Sequence, residues 1–317
     1  MTIGFVFPGQ GSQQVGMGRS LAESFAVARE VFDEVDAALG QALSALMWEG
    51  PETVLTLTEN AQPALMAVSL AVVRVLMAEH GIAMTTAAYV AGHSLGEYSA
   101  LAAAGTFKLA DTARLLKLRG QAMQRATPVG TGAMAVLIGL DYETAASIAR
   151  EAAAGEICQT ANDNAPGQVV VSGHRGAVER AIVIARTKGA RRAMLLAVSA
   201  PFHSTLMQPA AEVMAEALAG VEMQPPKVPL VANVTAAPLK DPAAIRASLV
   251  RQVTGTVRWR ECVLFMAGQG VQMFAELGSG KVLSGLARRI APEAAAVAAG
   301  TPEEIAALAG QISASRG

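Results

Sequence analysis

Aromatic residues make up only 4% of this 317-residue chain, so its core must be built mainly from Ala, Val, Leu, Ile and Met. Cysteine is scarcer still: Cys158 and Cys262 are far apart and share no metal-ligand spacing with any of the four histidines. A disulfide framework and a zinc site are therefore excluded, no metal is expected, and two reduced core thiols in a cytoplasmic protein are the reading that remains. Charge is sparse and balanced, with 16% charged residues, 25 Lys and Arg against 26 Asp and Glu, and a net charge of −1. No basic block exists to track a phosphate backbone, which argues against nucleic acid as a partner. Long apolar runs are missing too. The most apolar segment, residues 64–77, is interrupted by Ser69 and Arg74 and falls short of the roughly 20 residues of a bilayer span, so it reads as a buried helix and no membrane partner is expected. Residues 1–11 have no basic start and too short an apolar stretch for a secretory signal.

What is present is a hydrophobic fraction of 52% in a chain long enough for roughly two domains. Short β-type runs closed by Gly or Pro and followed by helical patterns, at residues 3–7 and 88–91, are the grammar of a wound α/β sheet. Residues 228–234 and 271–277 add two strand candidates, and the Ala-rich tail after residue 291 reads as an edge strand and helix. Between them, strand-like runs at 132–140, 157–162, 168–173 and 193–198 enclose helical stretches at 143–153 and 176–188. That β-α-β-β-α-β order predicts an inserted subdomain of ferredoxin-like type over 128–198, which splits a larger α/β domain into 1–127 and 199–317.

Gly92-His93-Ser94-Leu95-Gly96 fits G-x-S-x-G between a strand and a helix, the setting of a nucleophile elbow. Glycines allow the tight turn that lifts the Ser94 hydroxyl to the tip, and the following helix N-terminus favours developing negative charge. A blander reading competes, because Ser94 with Glu97 three residues on is also a capping box. Arg119 shares the helix face of Leu115, Leu116, Ala122 and Met123 and so interrupts an apolar stripe. A buried guanidinium needs an anion, and the choice lies between an internal salt bridge, a stem reaching solvent, and a substrate carboxylate held in two-pronged fashion. His203 follows the last strand of the middle unit, where it could act as a general base or be structural. His80 and His174 sit at helix ends, and His93, adjacent to Ser94, should point elsewhere. Gly9-Gln10-Gly11 could bring a backbone N–H to a reacting carbonyl or be a simple turn. Gly278-Ser279-Gly280-Lys281 fails the spacing of a phosphate loop, which removes nucleotide hydrolysis.

Taken together, Phe7-Pro8-Gly9-Gln10-Gly11-Ser12-Gln13, Gly92-His93-Ser94-Leu95-Gly96-Glu97-Tyr98, Leu118-Arg119-Gly120 and Pro201-Phe202-His203 resemble the malonyl-CoA:acyl carrier protein transacylase family of bacterial fatty acid synthesis. The stretch from Asn162 to Gln168 and Val250-Arg251-Gln252 resemble further segments of it, so the likeness spans nearly the whole chain. The resemblance implies an α/β-hydrolase-like larger domain. It implies that Ser94 takes the malonyl group as an ester, His203 is the base, Arg119 binds the malonyl carboxylate, and Gln10 and Leu95 supply the oxyanion hole. It further implies that the Gln252 carbonyl orients the histidine in place of an acid, that His93 and Asn162 line the site, and that Phe202 accompanies malonyl preference. The partners implied are malonyl-CoA and acyl carrier protein, with no cofactor and a monomeric chain. A serine esterase, a non-catalytic carrier-docking subunit, and the acyltransferases of malonate decarboxylase or polyketide synthesis share parts of this pattern.

Overall fold

The computed structural model describes residues 1–198 and 200–315, so Ser199, the expected restart of the larger domain, and residues 316–317 lie outside the described residues. The strands are, in chain order, β1 Ile3–Phe7, β2 Ala87–Gly92, β3 Gly132–Ile138, β4 Cys158–Ala165, β5 Gln168–His174, β6 Arg192–Leu195, β7 Leu230–Val231, β8 Pro238–Leu239, β9 Met273–Leu277 and β10 Ala295–Ala299. They form one six-stranded sheet, ordered β10-β9-β1-β2-β7-β8, and one four-stranded sheet, ordered β4-β5-β3-β6. The fold is mixed α/β.

In the larger sheet, β10, β9, β1, β2 and β7 run parallel and only β8 is reversed. Every residue of β1 and of β9 is buried, because helices cover both faces, and such strands read as continuous apolar runs instead of alternating ones. The two-residue period still sorts the side chains of β1: Ile3, Phe5 and Phe7 join the large core on one face, and Val6 joins Trp259 and Phe274 on the other. The larger core is centred on the helix Thr58–His80, whose residues from Ala61 to Ser69 are all buried. This helix corrects the estimate of length made above: its 23 residues suffice to cross a membrane by length and composition. However, 83% of its most apolar window is buried inside the protein, and Arg74 lies on its exposed edge.

The smaller sheet is antiparallel throughout and is built from β3, the helix Tyr142–Ala153, β4, β5, the helix Arg175–Thr187 and β6, the order expected. Alternation along β3 separates two environments. Ala133, Ala135 and Leu137 pack under the two helices, while Met134 and Val136 face the core of the larger unit. The helices approach closely because they present small residues at i, i+4 spacing, Ala145 and Ala149 on one, Ala177, Ala181 and Ala185 on the other.

Two further departures have physical causes. The strand expected at 228–234 shrinks to Leu230–Val231, because the chain leaves the sheet to bring the Asn233 side chain under the elbow, where its Oδ1 accepts from Ser94 N at 2.8 Å. The strand expected at 157–162 runs on to Ala165 through two register shifts against β5.

Candidate active site

β1 and β2 end side by side, Phe7 opposite Gly92, so the loops that follow both strands meet at one edge of the sheet. The turn after β2 is tight enough to dictate its glycines. A Cβ on Gly92 would lie 1.9 Å from the Gly96 carbonyl carbon, and one on Gly96 would lie 2.3 Å from Phe7 O. Ser94, at the tip, has φ of 53°, a left-handed conformation that costs a non-glycine residue ~1–3 kcal/mol and needs fixing from outside. Asn233 supplies that fixing: its Oδ1 accepts from Ser94 N, and its Nδ2 donates to Gly92 O at 2.8 Å. The capping box does not form. The N-cap of the helix Gly96–Ala103 is Leu95, without a side-chain cap, and the Glu97 carboxylate turns inward to accept from Asn233 N and Gln252 Nε2.

Ser94 Oγ lies 2.8 Å from His203 Nε2, and His203 Nδ1 lies 2.9 Å from the carbonyl oxygen of Gln252. A carbonyl only accepts, so Nδ1 carries the proton and Nε2 is left to accept from the serine hydroxyl. The imidazole is 4% exposed, and burial, then the nearby Arg119 charge, lowers its pKa to about 3, which keeps it neutral. No Asp or Glu contacts its Nδ1 among the described residues, so a peptide carbonyl stands where a serine triad has an acid.

Arg119, on the helix Leu109–Arg125, is 1% exposed. One guanidinium nitrogen donates to Gln62 Oε1 at 2.8 Å, and the other to Gln252 Oε1 at 2.9 Å and to Ser94 Oγ at 3.2 Å. Tyr98 lies under it, with the guanidinium carbon 5.7 Å from the ring centre. All these partners are neutral. Among the described residues no carboxylate pairs with Arg119, and burial pushes its pKa down, opposed by Tyr98 and Glu97. The internal salt bridge and the solvent-reaching stem are thus both absent, leaving a desolvated cation beside the serine.

These groups line a cavity of about 240 Å³, which also takes in Gln10, Leu95, His93, Asn162 and Phe202. The backbone N–H groups of Gln10 and Leu95 have no hydrogen-bond partner among the described residues, and the Gln10 side chain is held by Thr58 Oγ1 at 2.6 Å. His93 is turned from Ser94, as expected of a sequence neighbour, but into the cavity wall: its Nε2 lies 2.9 Å from Asn164 Oδ1 and its ring 5.7 Å from that of Trp259. Burial lowers its pKa, so it too is neutral. Phe202 and Asn162 are 8% and 7% exposed. Sequence reasoning passed over Gln62 and Asn233. The visible sign of Gln62 was an amide, two residues after Asn60, at the start of an apolar helical run.

The acyl transferase domain family matches residues 4–305. The chain is 48% identical to the malonyl CoA-acyl carrier protein transacylase of Escherichia coli (strain K12) over 96% of its own length and 97% of the relative's. It is 43% identical to that of Bacillus subtilis (strain 168) over 96% and 95%. The acyl-carrier-protein-S-malonyltransferase structure from Bartonella henselae superposes with a TM-score of 0.97 at 56% identity, covering 99% of this chain and 100% of that one. A type II PKS acyl-carrier protein in complex with its malonyl-transacylase matches with a TM-score of 0.95 at 44% identity, covering 98% and 100%. With such identity sustained from end to end, and the elbow, the histidine and the buried arginine meeting in one cavity, the chain belongs to the malonyl CoA-acyl carrier protein transacylase family.

Proposed function

We propose that the chain moves a malonyl group from malonyl-CoA to the phosphopantetheine thiol of acyl carrier protein by way of an ester on Ser94. The observation that carries this reading is Arg119, a buried cation without an anionic partner among the described residues, 3.2 Å from the nucleophilic oxygen. A carboxylate at the far end of the acyl group supplies the missing anion, and the planar guanidinium offers it paired donors. Relatives named for malonyl transfer, and one structure of such an enzyme with its carrier protein, support it.

In the first half-reaction Ser94 Oγ attacks the thioester carbonyl as its proton passes to His203 Nε2. The carbonyl oxygen, now negative, is received by the N–H groups of Gln10 and Leu95, donors of a kind worth ~2.7–4 kcal/mol each in other enzymes. The imidazolium is steadied by the Gln252 carbonyl and returns the proton to the departing coenzyme A sulfur. In the second half-reaction the carrier thiol gives its proton to His203 and attacks the ester, and Ser94 leaves with that proton restored. Because Arg119 is one cause of the low basicity of His203, a carboxylate seated on the guanidinium strengthens the base. The acyl group that fits is also the one that activates the site. His93, Asn162 and Phe202 shape the wall, and Phe202 favours malonyl. No metal or bound cofactor enters these steps.

The chain is read further as an α/β-hydrolase-like domain of residues 1–127 and 199–317 around a ferredoxin-like insert of 128–198. The parallel sheet with its elbow and the β-α-β-β-α-β order support those likenesses. We take it to act as a cytoplasmic monomer. Incubation with malonyl-CoA followed by intact-mass measurement should give a malonyl adduct that is absent in Ser94→Ala. An unmodified wild-type protein sinks the reading.

A further inference from the structure

Glu97 belongs to the elbow but touches neither the nucleophile's hydroxyl nor the base. Its side chain is fully buried, and no Lys, Arg or His pairs with it among the described residues. An uncompensated carboxylate in such a place is costly, and burial raises its pKa to about 7 even with the hydrogen bonds it accepts. Its partners show what the position obtains in return.

The amide of Gln252 stands between Glu97 and Arg119. Its Nε2 faces three oxygens: the Glu97 carboxylate, Ser94 O at 2.9 Å and Asn233 Oδ1 at 3.4 Å. Its Oε1 faces the guanidinium at 2.9 Å. Turned over, the amide would press its NH₂ against a cation that only donates and its oxygen against three acceptors. Glu97 is the only carboxyl group in that set, and it offers Nε2 an oxygen whether or not it is ionised, so it holds the amide in the orientation that gives Arg119 an acceptor. The same carboxylate accepts from the backbone N–H of Asn233 at 3.3 Å, and Asn233 in turn holds Ser94 N.

We propose that Glu97 is a positioning residue for acyl-group selection: by fixing the Gln252 amide it aims the Arg119 guanidinium at the site of the acyl carboxylate. The inference rests on the carboxylate role given to Arg119 above. It requires an acceptor at position 97, not a charge.

The test compares kcat and KM for malonyl-CoA and acetyl-CoA in the full-length chain. Glu97→Leu removes the acceptor at similar volume. It should lower the malonyl-over-acetyl preference in kcat/KM by about 10-fold or more, the scale of one lost buried hydrogen bond, with the change in the malonyl KM. Glu97→Gln, which can present an oxygen to Gln252, should keep the preference within about 3-fold of wild type. Equal loss for both acyl groups in Glu97→Leu, no loss at all, or a Glu97→Gln variant as unselective as Glu97→Leu overturns the proposal. If Glu97→Leu does not fold, Gln252→Met decides, since it keeps the carbonyl that holds His203 and removes only the amide. Retained malonyl preference there also overturns it. Arg119→Ala is measured alongside. If it loses malonyl preference and Glu97→Leu does not, the inference about Glu97 falls alone; if Arg119→Ala keeps the preference, the carboxylate role of Arg119 falls first.

Discussion

The two sheets meet at one cavity and line it with different chemistry. The parallel sheet and its helices carry Ser94, His203 and Arg119, the last two ionisable and almost fully buried, with the buried Glu97 outside the lining itself. The antiparallel sheet contributes Met134, Asn162 and Val170 to the same walls. Its one buried carboxylate among the described residues, Asp163, faces away into an ion pair with Arg260 at 2.8 Å. Within the cavity lining the conformational strain is divided in the same way, although two further left-handed non-glycine residues, Ala154 and Ala236, lie elsewhere. Ser94 and His203 are non-glycine residues with φ of 53° and 57°, both on the parallel-sheet unit and both held from several sides by hydrogen bonds. The difference teaches that the buried ionisable and strained side chains of the cavity gather where polar groups over-determine one another, on the parallel-sheet unit.

That division can be broken by experiment. In the proposed mechanism His203→Ala removes the proton acceptor, and it should reduce the rate of Ser94 acylation by ~10²–10⁴, measured in a single turnover with malonyl-CoA. Asn162→Ala, on the opposite wall, removes a side chain that bonds to none of the reacting groups and should change kcat/KM by less than about 10-fold. If the two substitutions cost the same, the antiparallel sheet does more than shape the cavity and the contrast fails.

The same contrast marks what could be read from the chain. The elbow was legible because its requirements are local: two glycines, a strand before, a helix after. Arg119 was legible because one cation in an apolar helical stripe is an anomaly that needs no partner to be noticed. The β-α-β-β-α-β unit was legible because its elements follow one another directly. Gln62 and Asn233 were not, since their value lies in partners 57 and 139 residues away, Arg119 and the Ser94 amide. Strand order in the larger sheet was hidden for the same reason: β1 lies against β9, pairing Ile3 with Met273. The helices between residues 19 and 55 were passed over because they are mostly short and answer to packing against Thr58–His80.

The smallest expected effect sharpens the electrostatic side of the comparison. Burial and the Arg119 charge hold the folded-state pKa of His203 at about 3, below its ordinary 6.5. In that window the unfolded chain binds a proton that the folded chain refuses, so this group makes stability fall as pH drops from about 6.5 toward 3. Glu97 works in the opposite sense. Its pKa, raised to about 7, favours the folded state at low pH, and that contribution is lost as pH rises from the ordinary value of 4.5 through 7. The two slopes oppose each other between about pH 4.5 and 6.5, so wild-type stability alone conceals both. His203→Gln keeps a polar side chain without a titrating one and removes only the first slope. Thermal unfolding of wild type and His203→Gln at several pH values across that range should therefore show the variant gaining on wild type as the solution is acidified. Parallel curves would mean that His203 is protonated in the folded chain as readily as in the unfolded one, and that the buried polar cluster of the parallel sheet does not hold its base neutral.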